Sequence, residues 1–133
     1  MDNSIKSLIG YRMDKANEEL SLSKNLIEQK YFSKSLNCSY YAMFYAARAL
    51  LGIKKLDSKK HSGVLKLFNI NFIHSGEIHK EFYTFLSTSF NTRLQSDYHD
   101  FYVASLQDAE KQIQNAEKFL QMTKNYLSKY LEN

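Results

Sequence analysis

A chain of 133 residues with 44% apolar content fits one compact domain, residues 1–133, with a single core that buries roughly two-thirds of the unfolded surface. The absence of proline and a count of only four glycines argue against a turn-rich β architecture and for long helices. Eighteen basic against 14 acidic residues give a net charge of +4 and a pI near 9.0, a balance compatible with an RNA, nucleotide or acidic-protein partner but shared by many ordinary soluble domains.

One cysteine, Cys38, excludes an intrachain disulfide and agrees with a reducing compartment. The opening MDNSIKSLIGYRMDK has no apolar core of the signal-peptide kind. No stretch approaches the roughly 20 apolar residues of a membrane span. A soluble cytoplasmic chain with no membrane contact is expected.

In chain order, Asn3 to Gln29 places Ile5, Leu8, Ile9, Met13, Ala16, Leu20 and Ile27 at helical spacing, with Asn3 or Ser4 as cap. Ser33 to Leu51, SKSLNCSYYAMFYAARALL, is apolar or aromatic nearly all round from Tyr40 onward. A helix wet on one side cannot look like this, so it is expected at the centre of the bundle, starting at Ser33 and ending at Gly52 in a left-handed conformation. Tyr40, Tyr41, Phe44 and Tyr45 read either as core or as a stacking platform for bases. Arg48 needs a partner or an exit to water, and Cys38 reads as packing rather than reactive.

Gly52 to Lys60 is the main irregular connection and carries Lys54, Lys55, Lys59 and Lys60 ahead of His61, Ser62 and Gly63. It reads as a solvated basic loop or, with Lys59, Lys60 and His61 at a helix start, as a phosphate contact. A short helix with Val64, Leu65, Leu67, Phe68 and Phe72 ends near Ser75 and Gly76. Glu77 to Ser96 sets Ile78, Phe82, Phe85, Leu86, Phe90 and Leu94 on one side of an amphipathic helix. After a non-helical stretch from Tyr98 to Ala104, Ser105 and Asp108 form a variant of the capping box. Leu106, Ala109, Ile113, Ala116, Leu120, Thr123, Leu127 and Tyr130 then make a packing seam. The fold class is all-α, an up-and-down bundle of four long helices plus one short one.

No GxxxxGK[ST], GxGxxG or GxSxG occurs, which removes the phosphate-loop, Rossmann and serine-hydrolase readings. His61, His74, His79 and His99 lack HExxH or CxxC companions, so neither a metal nor a cofactor is expected. The stretch TRLQSDYHDF, Thr92 to Phe101, is the most informative. Six steps of about 100° would leave Arg93 and His99 some 120° apart on an unbroken helix, so they converge only if the helix ends between them. Converged, they suit metal-independent RNA cleavage: the imidazole moves a proton and the guanidinium steadies the phosphorane charge, while Tyr98 or Tyr102 stacks or hydrogen-bonds. Alternatively Arg93 and Asp97, four apart, pair within the helix and with Tyr98 form a structural corner, leaving His99 an exposed loop residue.

SYYAMFYAARALLG (Ser39 to Gly52), KHSGVLKLF (Lys60 to Phe68) and the R-x3-DY element at Arg93, Asp97 and Tyr98 together resemble the small prokaryotic HEPN-domain family, with matching order and spacing over roughly Ala16 to Leu127. The resemblance implies a helical bundle, a homodimer with its functional groove along the dimer contact, and a minimal nucleotidyltransferase partner in a toxin and antitoxin pair. Many members are endoribonucleases with an R-x4-6-H motif, onto which Arg93 and His99 fall. This chain departs from that pattern with Leu94 after the arginine, Phe101 two residues after the histidine, and Tyr45 where relatives often carry histidine. The expected function is thus either an endoribonuclease or a non-catalytic subunit that binds a nucleotide or substrate, with a purely structural interaction module as the third reading.

Overall fold

The computed structural model describes residues 2–131, and among these every regular element is helical. Four long helices, α1 (Asn3–Glu28), α2 (Phe32–Ile53), α4 (Lys80–Tyr98) and α5 (Leu106–Leu131), are joined by one short helix, α3 (His61–Phe68), which runs on into a π-helical turn over Asn69–Ile73. The all-α bundle of four long helices and one short one is therefore observed. No helix among the described residues is long and apolar enough to cross a membrane.

The centre is α2, as its all-round apolar sequence demands. Tyr40, Ala42, Met43, Ala46, Ala47, Ala49, Leu50 and Leu51 have no exposed surface. The short turn after α1 makes α1 and α2 an antiparallel hairpin. Beside the turn, Ser23 Oγ donates to the Ser35 carbonyl at 2.7 Å and Ser35 Oγ donates to the Ser23 carbonyl at 2.8 Å, so two buried hydroxyls satisfy each other's backbone.

At the far end of the hairpin Gly52 lies inside α2, with no left-handed φ. A Cβ there would stand 3.2 Å from Ile9 Cγ1 and 3.7 Å from Arg12 Nη1. The glycine is thus explained by close approach of α1, not by helix termination as expected from sequence. The left-handed residues near the two α2 ends are Lys30 (φ 65°) and Lys55 (φ 59°). Two other expected caps shift as well: Asp2, not Asn3 or Ser4, accepts the Ser4 amide at 2.8 Å, and α2 begins before Ser33, which instead reaches Ser96 Oγ at 2.8 Å.

Helix α5 closes the core with the expected seam, Ala109, Ile113, Ala116, Leu120, Thr123 and Leu127, while Leu106 and Tyr130 stay exposed. Fully buried Phe119 adds the aromatic contact with Phe68 at 5.6 Å between centroids. Burying a large apolar side chain contributes roughly 1.5–3 kcal/mol, whereas a surface ion pair contributes about 0–1 kcal/mol. The aromatic centre therefore outweighs exposed pairs such as Lys24–Glu117 at 3.3 Å. The Ser105–Asp108 box forms: the Asp108 amide donates to Ser105 Oγ at 3.0 Å and the Ser105 amide to Asp108 Oδ2 at 3.4 Å.

The start of α4 falls later than its pattern suggests. His79 Nδ1 caps it by accepting the Glu81 amide at 3.2 Å, and Glu77 is drawn away to Lys54 Nζ at 2.9 Å and to the Tyr126 hydroxyl. The helix buries only Leu86 and Ser89; Phe82, Phe85, Phe90 and Leu94 are half-buried. This arrangement sets the end of α4 beside α2 and leaves its side chains partly open there.

Candidate functional site

Helix α4 remains helical through Tyr98, and His99 is its extended C-cap (φ −122°, ψ 108°), with its amide donating to the Gln95 carbonyl at 3.0 Å. Arg93 Nε lies 3.8 Å from Asp97 Oδ2, the intrahelical spacing noted above. The guanidinium rests over Tyr41 and Tyr40 on α2, at 5.2 and 5.7 Å from their centroids. A cation over aromatic faces is held by the ring quadrupoles while its edges stay available to donate.

The other members of the corner point elsewhere. Tyr98 is 79% exposed, and the His99 ring is exposed and makes no hydrogen bond, ion pair or ring contact with the described residues. Within the chain, then, Arg93 is gathered onto the α2 tyrosines and His99 is not. The stretch beyond is apolar and wet, with Phe101 95% and Val103 85% exposed.

The imidazole that does share Arg93's surroundings is His61, the first residue of α3. Its ring stacks on Phe44 at 4.2 Å and 10° and meets Tyr41 edge-on at 5.7 Å. Its Nδ1 lies 2.6 Å from the Tyr40 hydroxyl. Burial first, then the charges of Arg93 and Arg48, push its pKa below the ordinary histidine value. Tyr40 is fully buried, and that burial holds its phenol well above the usual range despite the nearby Arg93. The core reading of the aromatic run holds for Tyr40 and Phe44, which are buried, while Tyr41 and Tyr45 are half-buried at its edge.

Behind this group Asp57 ties two arginines. Arg12 Nη2 and Arg48 Nη2 each reach its Oδ2 at 3.0 Å, Arg48 Nε reaches Oδ1 at 3.2 Å, and Arg12 Nη1 donates to the Arg48 carbonyl at 2.8 Å. Partial burial pushes Asp57 up, but the hydrogen bonds from Arg48 and the Ser58 amide, with the two arginine charges, hold its carboxyl below the ordinary range. Arg48 has the partner that its place in α2 requires. Lys59 and Lys60 are exposed beside the start of α3. Ser58 packs over the first turn of α3, its Oγ only 2.0 Å from where a Cβ on Gly63 would stand, so that turn is shielded by protein.

Sequence reasoning placed Lys59, Lys60 and His61 together as a phosphate contact but did not connect His61 with Tyr40 and Arg93. The KHS run entering a helix was the available signal. Away from this group, a cleft of about 550 Å³ lined by Glu77, His79, Phe82, Lys118 and Tyr126 lies at the opposite end of α4. No three His, Cys, Asp or Glu side chains among the described residues are placed to share a metal. Burial and then the Glu19 carboxylate push the Cys38 thiol up to about 12, consistent with a packing role.

A sequence model of the HEPN domain matches residues 9–126. Two proteins of Methanocaldococcus jannaschii, each named as a putative toxin, are similar to this chain. One is 35% identical over 115 residues, covering 86% of this chain and 78% of that protein. The other is 34% identical over 131 residues, covering 98% and 97%. A UPF0332 protein of Thermotoga maritima is 35% identical over 118 residues, 89% of each chain. With a matching bundle, a domain match over most of its length and relatives aligned nearly end to end, this chain belongs to the HEPN-domain family.

Proposed function

We propose that this HEPN-domain protein is the toxin-like member of a two-component module, acting in the cytoplasm as a homodimer that cleaves RNA without a metal, with a minimal nucleotidyltransferase as partner. The observation that carries this reading is the state of Arg93. Among the described residues its guanidinium makes no hydrogen bond, yet two tyrosine rings hold it in place. The names of the two Methanocaldococcus relatives support the toxin assignment.

In this reading the neutral His99 imidazole takes the proton of a ribose 2′-hydroxyl, whose oxygen attacks the adjacent phosphorus. Arg93 balances the charge gathering on the phosphorane oxygens. The bond to the 5′-oxygen breaks, that oxygen receives a proton from a protonated imidazole of the second protomer, and a 2′,3′-cyclic phosphate remains. The dimer is integral to the reading, because Arg93 and His99 of one protomer do not meet. Lys59 and Lys60 contact neighbouring phosphates and exposed Tyr98 stacks on a base.

The test is cleavage of single-stranded RNA by the purified protein in the presence of a chelator, with the cyclic phosphate identified on the product. Full activity in both Arg93→Ala and His99→Ala proteins would sink the assignment. The separation of His99 from Arg93 within the protomer favours the second reading, a non-catalytic nucleotide- or substrate-binding subunit. Saturable nucleotide binding without cleavage would establish that alternative.

A further inference from the structure

The chain has three arginines, and the fold treats them differently. Arg12 and Arg48 direct their forks onto Asp57 and a carbonyl. Arg93 makes no hydrogen bond among the described residues, and the carboxylate it pairs with, Asp97, stands at 3.8 Å, beyond hydrogen-bond reach. His61 lies against the same two rings that carry Arg93, its centroid 5.8 Å from Tyr40 and 5.7 Å from Tyr41.

Tyr40 decides which imidazole nitrogen faces outward. Its hydroxyl is fully buried and has His61 Nδ1 as its partner at 2.6 Å. A buried hydroxyl that fails to donate costs about 1–3 kcal/mol. Nδ1 therefore accepts, and the hydrogen of the neutral imidazole sits on Nε2. Among the described residues the one fully buried side-chain polar atom without a partner is Asn115 Oδ1. His61 Nε2 has no hydrogen-bond partner among the described residues and is not one of the fully buried atoms, so it keeps contact with solvent. The lowered pKa of the ring keeps it a neutral N–H donor at neutral pH.

We propose that His61 Nε2–H and the Arg93 guanidinium form one phosphate subsite, with Tyr40 as the positioning residue that fixes the His61 tautomer. Two donors of different kinds, a planar fork and a single N–H, flank the half-buried Tyr41 ring, so a phosphate held by both leaves its attached base beside an aromatic face. The charges around this group favour an anion: among the described residues Arg12, Arg48 and Arg93 pair with the carboxylates of Asp57 and Asp97 alone, and Lys59 and Lys60 stand exposed next to His61. The chemistry is that of a phosphate ester, whether from an RNA backbone or a free nucleotide. The subsite rests on the role given to Arg93 above but does not require cleavage.

The experiment is binding of a 2′-O-methyl oligouridine, which cannot be cleaved through its blocked 2′-oxygen, followed by fluorescence anisotropy with uridine 5′-monophosphate as competitor. Tyr40→Phe/His61→Phe removes both hydrogen-bonding partners and keeps the stacked rings, a change that can be nearly neutral for stability. Affinity for the oligonucleotide is expected to fall on the order of tenfold or more. In the unmodified protein the His61 imidazole nitrogen resonances should shift on titration. Tyr40→Phe alone should move hydrogen from Nε2 toward Nδ1, a redistribution that a merely structural tyrosine would not cause.

Unchanged affinity in a folded double variant, or no His61 shift at saturating oligonucleotide, overturns the proposal; if the double variant does not fold, the resonance titration decides. Displacement by uridine 5′-monophosphate assigns the site to free nucleotides, and binding of the oligonucleotide alone assigns it to the RNA backbone. The cleavage reading fails separately: His61-dependent binding without cut RNA leaves the subsite standing, whereas cleavage dependent on Arg93 and His99 with His61-independent binding removes only the subsite.

Discussion

The Tyr40 hydroxyl and His61 Nδ1, 2.6 Å apart, join the buried centre of α2 to the first residue of α3 across 21 positions of sequence. The charged and titratable groups facing His61 are Tyr40 and Tyr41 from α2, Arg48 from α2 and Arg93 from α4. Its folded pKa lies below the ordinary histidine value, so the unfolded chain binds more protons between the two values. Stability from this site is therefore complete above the ordinary value and is lost as pH falls through it, levelling off below the folded pKa. Tm is expected to drop as pH falls below the ordinary histidine value of about 6.5, and calorimetry should find a smaller drop in Tyr40→Phe/His61→Phe.

Asp57 is the next position where charge decides stability. The Arg12 side chain is only 6% exposed while that of Asp57 is 45% exposed. Asp57→Ala would therefore leave a nearly buried guanidinium without its counter-charge. The expected cost is about 3 kcal/mol, read by denaturant unfolding, with Lys15 or Glu18 substitutions as controls within about 0.5 kcal/mol. The folded pKa of Asp57 is depressed, so its contribution is present above the unfolded carboxylate value and is lost as pH falls through the folded one.

These two relationships mark the boundary of what the chain shows in one dimension. The all-round apolar run from Tyr40 to Leu51 makes α2 central wherever it is placed, and Ser105 with Asp108 spells a cap within one turn. Such features depend on local spacing and were legible. Gly52 was misread because a glycine admitting Ile9 and one ending a helix look alike until α1 is packed against α2. The end of α4 likewise depended on packing, since nothing local distinguishes helix through Tyr98 from helix ending sooner. Arg93 stood out by its spacing to Asp97 and His99, but its seat on Tyr40 and Tyr41 and its nearness to His61 arise from three helices meeting. The same holds for Asp57 serving arginines 45 and 9 positions away.

Gly63 tests the packing of the loop that carries Asp57. A Cβ there would stand 2.0 Å from Ser58 Oγ and 2.8 Å from Ser58 Cβ, so Gly63→Ala must displace Ser58 and its neighbour. A loss of about 1–3 kcal/mol is expected, as for other overpacked sites. Ser58→Gly in the same chain removes both clashing atoms and should recover most of it. Equal melting of the single and double variants would show that Ser58 is not the obstacle.

The apolar run after α4 is expected to lie in the homodimer contact of the proposed enzyme. Phe101 and Val103 are 95% and 85% exposed, large apolar surface that association would remove from water. Replacing both with Asp should shift the protein to monomer in sedimentation velocity and abolish RNA cleavage together with the dimer. A dimer that persists at low micromolar concentration would place the contact elsewhere.

Arg93 separates the catalytic and binding readings most sharply. Its side chain is 22% exposed and makes ring contacts and one long ion pair, so Arg93→Ala should change stability by less than about 1 kcal/mol. If the guanidinium steadies a phosphorane, the same substitution should lower the cleavage rate about 10²- to 10³-fold while weakening RNA binding much less, because charge develops only as the new P–O bond forms. Arg93→Lys keeps a cation on the tyrosine rings but loses the planar fork, and should recover binding more than rate. A loss confined to affinity, with the single-turnover rate at saturating RNA unchanged, would make Arg93 a binding group and move the chemistry away from this corner of α4.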